Sequence, residues 1–213
     1  MVCTTTTTWL KPMITISGRK NRLTGMNRIV GFGASTMEGV GDTEGGFFTR
    51  LSRHPDIRLD FHNEGVGGNT LADMMSRVTQ TTALQPYDII VLLGCNDLPR
   101  ENDATPERRS SLNSYTAKLL SLLPAIKGRR SLFVSSFPVS ERATGISPVL
   151  FGDYMASAVH SAASLGYEVW NLYREPGISD FLAPDGLHFN DRGHAFIANR
   201  LLSWVRECAR YPA

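Results

Sequence analysis

The sequence predicts a three-layer α/β/α domain built on a parallel five-stranded sheet. Three observations carry this. Short runs rich in Val, Ile, Leu and aromatic residues alternate with longer stretches of helical period. No linker, internal repeat or second core interrupts the alternation. At 213 residues the chain can bury a full core without metals or disulfides.

The expected strands are Arg28–Phe32, Ile57–His62, Tyr87–Leu93, Ser131–Ser135 and Glu168–Leu172. Each is brief, and most have Gly, Pro or Asn close by. Between them the period lengthens. Leu71, Met74, Met75 and Val78 repeat at i, i+3, i+4 and i+7 behind Thr70, which is placed to act as an N-cap. Leu112, Tyr115, Leu119, Leu122 and Ile126 follow Thr105-Pro106, read as an N-cap with Pro at the first helical position. Ser147-Pro148 opens a third helix with Phe151, Met155, Ala158, Ala162 and Leu165 inward, stopped by Gly166. Ile197, Leu201, Trp204, Val205 and Cys208 form the inner stripe of the last. Strands alternating with helices make βαβ units, and such sheets bind ligands outside the carboxyl ends of their strands, near a reversal of strand order.

Composition excludes several classes. Hydrophobic residues make up 42% and charged residues 20% of the chain, which is neither disordered nor fibrous. The longest uncharged helical stretch, Tyr154–Tyr167, holds Ser157, His160, Ser161 and Ser164 and is shorter than the roughly 20 apolar residues a bilayer span needs. A net charge of +2 is no electrostatic footprint for nucleic acid. Residues 1–25 hold Lys11, Arg19, Lys20 and Arg22, no acid, and the run Thr4–Thr8. They are expected to form a basic, Thr-rich, flexible extension, with residues 26–213 as the single functional domain starting at Met26. Pro12 and the Thr run make a poor amphipathic targeting helix, and no apolar run follows a basic start as in a signal peptide. Cys3, Cys95 and Cys208 are too few and scattered for a disulfide framework or a zinc site, so a cytoplasmic location with reduced thiols is expected.

The unusual residues gather after the strands: Gly31–Gly39 after the first, Asn63–Thr70 after the second, Gly94-Cys95-Asn96-Asp97 after the third, and Asp185-Gly186-Leu187-His188 beyond the fifth. Taken singly, each reads as turn chemistry. Together they fall on one edge of the sheet. Under the flavodoxin-like order 2-1-3-4-5, Ser35, Gly68 and Asn96 project from three adjacent strand ends, each about 4.8 Å apart. Acyl transfer needs a hydroxyl nucleophile and donors aimed at the developing oxyanion, here the N–H groups of Ser35 and Gly68 and the Asn96 amide. His188 must cross about 14 Å from the edge strand, and the segment Tyr173–Asp185 is long enough to carry it there at about 3.3 Å per residue. Asp185, three residues before His188, could accept the Nδ1–H and leave Nε2 as base.

These four segments, in this order over residues 27–200, resemble the SGNH hydrolases, also called the GDSL esterase/lipase family. The resemblance implies Ser35 as nucleophile, His188 as general base and acid, Asp185 as its partner, and Gly68 and Asn96 as oxyanion-hole donors beside the Ser35 amide. It implies no cofactor and no metal. The chain departs from the family at Gly33-Ala34-Ser35, where the family has Gly-Asp-Ser, which bears on how the first loop is held. Thr36 also stands where a larger aliphatic residue is common.

Other motifs fit less well. The α/β-hydrolase elbow fails at Met37, the dinucleotide fingerprint fails at Thr36, and no Lys sits in a phosphate-loop setting. Asp185, His188, Asp191 and His194 could be recruited as metal ligands, but Asp191 and His194 open the last helix, where Asp is ordinary N-terminal chemistry. The expected reaction is serine-dependent hydrolysis of a small-molecule carboxylic ester through an acyl-enzyme, with activity rising with pH as His188 loses its proton. A thioesterase, a lysophospholipase, or a non-catalytic binding module on the same scaffold is the alternative. Leu98, Pro99, Phe137, Pro138 and Phe189 are expected to make a small apolar wall suited to short acyl chains, with Arg100, Glu141 and Arg142 beside it. Whether a backbone carbonyl helps Asp185 hold the imidazole stays open.

Overall fold

The computed structural model describes residues 27–210, so the expected extension 1–25 and a start at Met26 lie outside the described residues. Five strands form one all-parallel sheet in the order β2-β1-β3-β4-β5. They are β1 (Arg28–Gly33), β2 (Asp60–Gly65), β3 (Asp88–Leu92), β4 (Ser131–Val134) and β5 (Glu168–Trp170). The expected class and order hold. The helices are α1 (Ser35–Glu38), α2 (Gly46–Ser52), α3 (Leu71–Ser76), α4 (Val78–Thr82), α5 (Leu112–Ala125), α6 (Glu141–Thr144), α7 (Pro148–Ser164) and α8 (Asp191–Arg210).

Two apolar clusters cover the two faces of the sheet. On one, Val30, Phe32, Ile89 and Val91 pack with Leu119, Leu122, Phe151 and Ala158 of α5 and α7. On the other, Ile29, Ile90, Leu92 and Val134 pack with Phe47 and Phe48 of α2 and with Ile197, Leu201 and Val205 of α8. The central strand β3 is buried throughout, as a strand covered on both faces must be.

Four expected boundaries need correction. The second strand runs Asp60–Gly65 rather than Ile57–His62. Ile57 and Leu59 are buried in the α2/α8 cluster but precede the ladder, which starts where Asp60 pairs with Arg28. β2 is an edge strand and only half-buried, so its polar sequence hid it from an apolar-run reading. The last strand ends at Trp170, and Leu172 begins a single 3₁₀ turn, Leu172–Arg174. The helix behind Thr70 breaks at Arg77, leaving Val78 in α4. Arg77 stacks over Phe32 at 5.0 Å and bonds Asn69 and Glu64. Finally, Thr105-Pro106 opens only a 3₁₀ turn, Pro106–Arg108, and Ser111 caps α5 by accepting the Ser114 N–H at 3.3 Å.

Three helices were not anticipated. α1 and α6 are single turns, and α2 starts where the Asp42 carboxylate accepts the Gly46 N–H at 2.8 Å. The spacing of Phe47, Phe48 and Leu51 behind Asp42 was a usable signal for α2.

Candidate active site

β1 ends at Gly33, and the chain turns at once into α1, so Ser35 stands at the carboxyl edge of the sheet beside the reversal of strand order. A Cβ on Gly33 would lie 2.2 Å from the Leu92 carbonyl, so only glycine lets the turn run this close to β3. The Ser35 carbonyl accepts from Gly39 at 3.0 Å and from Val40 at 2.9 Å, closing the short helix. Ala34 is 1% exposed and packs in the α5/α7-side core, so the place of the family Asp is filled by an apolar contact. The loop is held instead by the Asn63 amide, which donates to the Met37 carbonyl at 2.9 Å.

His188 arrives on the strap between β5 and α8. The strap folds back through a second 3₁₀ turn, Ile178–Phe181, and is pinned by a bridge between Leu182 and Phe189. Further anchors are the Ala183 N–H on the His188 carbonyl at 2.7 Å and the Ser140 N–H on the Gly186 carbonyl at 2.7 Å. His188 Nδ1–H donates to Asp185 Oδ2 at 2.7 Å, which leaves Nε2 to accept from Ser35 Oγ at 3.1 Å. No backbone carbonyl shares Nδ1 among the described residues. Asp185 Oδ1 accepts the N–H groups of Leu187 at 2.9 Å and His188 at 3.0 Å. Burial alone would raise the Asp185 carboxyl, but these N–H groups and the imidazole outweigh it and hold the pKa at about 2. A hydroxyl donating to an imidazole that in turn donates to a carboxylate is an arrangement able to take the proton off the hydroxyl as it attacks.

Gly68 and Asn96 flank Ser35 from β2 and β3. Gly68 has φ +73°, a left-handed conformation that a side chain strains, while a Cβ there would meet nothing within 4 Å. Glycine at 68 therefore answers to the backbone rather than to crowding by the protein. The Asn96 amide donates one hydrogen to the Asn69 carbonyl at 3.0 Å and keeps a second. Neither the Ser35 N–H nor the Gly68 N–H has a hydrogen-bond partner among the described residues. All five residues but Asp185 line one cavity of about 330 Å³.

Of the expected wall, Phe137 lines this cavity, with its ring stacked on Phe189 at 3.6 Å. Leu98 and Phe189 are fully buried behind it, and Pro99 and Arg100 open on a separate depression with Asp103 and Arg109. Pro138, Glu141 and Arg142 do not line the cavity. Its remaining apolar lining comes from Val40, Val139 and Leu187, with Thr36, Cys95 and Ser136 among the rest. Sequence reasoning missed these, although Ser136 and Val139 follow β4 and so share the same sheet edge. Burial pushes the Cys95 thiol up, which makes it a lining group rather than a reactive one. Asp191 and His194 are otherwise engaged. Asp191 accepts from the Thr43 N–H and hydroxyl at 2.8 and 2.9 Å, and His194 bonds the backbone of Phe47 and Val40. Among the described residues no group of three His, Cys, Asp or Glu side chains is placed to hold a metal ion.

The fold and the sequence have relatives. The lipase/acylhydrolase from Enterococcus faecalis superposes with a TM-score of 0.71 at 19% identity, covering 88% of this chain and 98% of that one. An acetylxylan esterase from Geobacillus stearothermophilus gives 0.66 at 18% identity, over 85% and 95% of the two chains. An α/β hydrolase enzyme from the metagenome of Lake Arreo, Spain, gives 0.67 at 21%, over 86% and 96%. No curated protein matches the chain by sequence. Residues 32–196, which run from the end of β1 into α8, match the model of the GDSL-like lipase/acylhydrolase family. The chain belongs to that family, and with it to the carboxylic ester hydrolases.

Proposed function

We propose that the protein hydrolyses carboxylic esters of short acyl groups by a serine mechanism. The observation that carries this reading is the hydrogen-bonded line Ser35–His188–Asp185 opening on a cavity lined by Gly68 and Asn96. Ser35 Oγ attacks the acyl carbon while His188 Nε2 takes its proton, and Asp185 steadies the imidazolium that forms. The oxyanion is held by the N–H groups of Ser35 and Gly68 and by the second amide hydrogen of Asn96. His188 then protonates the departing alcohol, and water activated by the same nitrogen releases the acid from Ser35.

The apolar wall of Phe137, Val139 and Leu187 beside Ser35 gives a seat to a short, acetyl-like acyl group. A small-molecule ester is the substrate class this reading implies, and one structural relative is named an acetylxylan esterase. The buried free thiols of Cys95 and Cys208 accord with a reducing, cytoplasmic setting.

The test is hydrolysis of p-nitrophenyl esters from two to twelve acyl carbons, with Ser35→Ala beside wild type. Turnover is expected on the shortest chains, falling with length, and absent in the variant. Turnover that survives in folded Ser35→Ala, or that rises toward twelve carbons, overturns the nucleophile or the acyl assignment respectively.

A further inference from the structure

Two charged side chains outside the proton-transfer line hold the loop that carries Gly68. Glu38 ends α1, three residues after Ser35, and its Oε2 accepts the Gly67 N–H at 2.7 Å. On the other side, Arg108 Nη2 donates to the Gly68 carbonyl at 3.0 Å and to Asp73 Oδ2 at 2.9 Å. Asp73 is itself fixed, because the same oxygen accepts the Thr70 N–H at 2.9 Å and the Thr70 hydroxyl at 2.8 Å in a capping box on α3. The peptide joining Gly67 to Gly68 lies between these two anchors, and its N–H is the donor assigned above to the oxyanion.

The loop needs such anchors. Gly67 and Gly68 are adjacent glycines, which lose more conformational freedom on ordering than any other residue. Gly68 is required by its left-handed φ, and Gly65 and Gly67 answer to the close approach of the loop to Glu38. A Cβ on Gly65 would lie 2.2 Å from the Glu38 backbone nitrogen, and one on Gly67 would lie 2.7 Å from Glu38 Oε2. Glycine thus permits the contact and also leaves the peptide free to turn. A donor stabilises a transition state only if it is already oriented toward the developing charge.

We propose that Glu38 and Arg108 are positioning residues for the oxyanion hole, holding the Gly68 N–H in register with Ser35. The proposal rests on Ser35 as nucleophile and Gly68 as donor. Glu38 ties the loop to the helix of the nucleophile, and Arg108 ties it to α3 and to the turn Pro106–Arg108 that follows β3. The Arg108 and Asp73 side chains are 46% and 42% exposed, so their pair adds little to stability and its kinetic role separates from unfolding.

The experiment compares the full chain with Glu38→Ala, Glu38→Gln, Arg108→Ala and Ser35→Ala on p-nitrophenyl acetate. A phenylboronic acid serves as tetrahedral analogue, and melting temperatures check the fold. Glu38→Ala and Arg108→Ala are expected to lower kcat by about 10- to 100-fold with KM nearly unchanged, and to weaken boronate binding in step. Glu38→Gln keeps an acceptor oxygen and is expected to return kcat to within about threefold of wild type. If Ser35→Ala is inactive but both alanine variants keep wild-type kcat, the positioning role is overturned and the nucleophile stands. A loss confined to KM, or one that Glu38→Gln does not recover, also overturns it. Turnover in Ser35→Ala instead removes the reading beneath the proposal.

Discussion

His194 offers a quantitative test of how the active-site scaffold is held. It is fully buried, with its ring 15° from parallel to Phe47 and edge-on to Phe189. Nδ1 accepts the Phe47 N–H at 3.1 Å, so the proton sits on Nε2, which donates to the Val40 carbonyl at 3.0 Å. The Val40 N–H in turn bonds the Ser35 carbonyl, so this neutral imidazole braces the segment leaving Ser35. Burial pulls the His194 pKa below the ordinary histidine value, with Arg50 acting in the same direction. The Val40 carbonyl, Asp42 and Asp191 oppose this without overcoming it.

The folded protein therefore takes this proton at lower pH than the unfolded chain does. The stability His194 confers is complete above an unfolded value of about 6.5 and is lost as pH falls through the folded pKa. Within that window one proton separates the states, and the slope is about 1.4 kcal/mol per pH unit. Replacing His194 by Phe keeps a ring but leaves the buried Phe47 N–H unpaired, at about 1–3 kcal/mol, and frees the Val40 carbonyl, which water can reach at smaller cost. Urea unfolding of wild type and His194→Phe at pH 8, 7, 6 and 5 measures both effects. The variant is expected to be less stable by about 1–3 kcal/mol at pH 8, most of it from the buried N–H, and the gap to narrow below pH 6.5 with a slope of at most about 1.4 kcal/mol per unit. Asp42 and Asp185, each held at about 2, lose their contributions below this range. A gap that stays constant from pH 8 to 5 refutes a depressed His194, and a widening gap reverses its sign.

Two active-site substitutions complete the set. Asn96→Ala removes one proposed oxyanion donor and leaves the Asn69 carbonyl without its partner, so kcat is expected to fall by about 10²–10³; a loss below about fivefold in steady-state assays removes Asn96 from the hole. Asp185→Asn keeps an oxygen for the Leu187 and His188 N–H groups but faces Nδ1 with an amide N–H, forcing the wrong tautomer. A loss of about 10²–10⁴ in kcat with little change in melting temperature is expected, the upper figure being that of the triad used as a general template. Retention of more than about a tenth of the activity would mean that another group orients the ring.

Much of this site was legible because its chemistry is written in short, local signals. Ser35, Gly68 and Asn96 each follow a strand within a few residues, and parallel strands all end on one side, so sequence position alone brings them to one edge. Asp185 and His188 are three residues apart, close enough for one loop to pair them. The strands that read well were the buried ones, β3 and β4, whose residues after Asp88 and Ser131 are apolar on both faces. β2 was displaced because half of its surface meets solvent and its apolar residues precede the ladder.

The lining of the cavity was a different matter. Leu98 and Phe189 are as apolar as Phe137, yet only Phe137 reaches the cavity, since which side chain faces a space depends on the packing of the others. Glu38, Arg108 and His194 carry no motif at all. Their partners lie 29, 40 and 147 residues away, and exposed charges or a lone His have ordinary surface and core readings in sequence. Strand polarity and local spacing were enough to read the sheet, its order and the edge at which Ser35, Gly68, Asn96 and His188 meet. The lining of the cavity and the contacts that hold the Gly67–Gly68 loop emerge only in three dimensions, because both arise where distant segments meet.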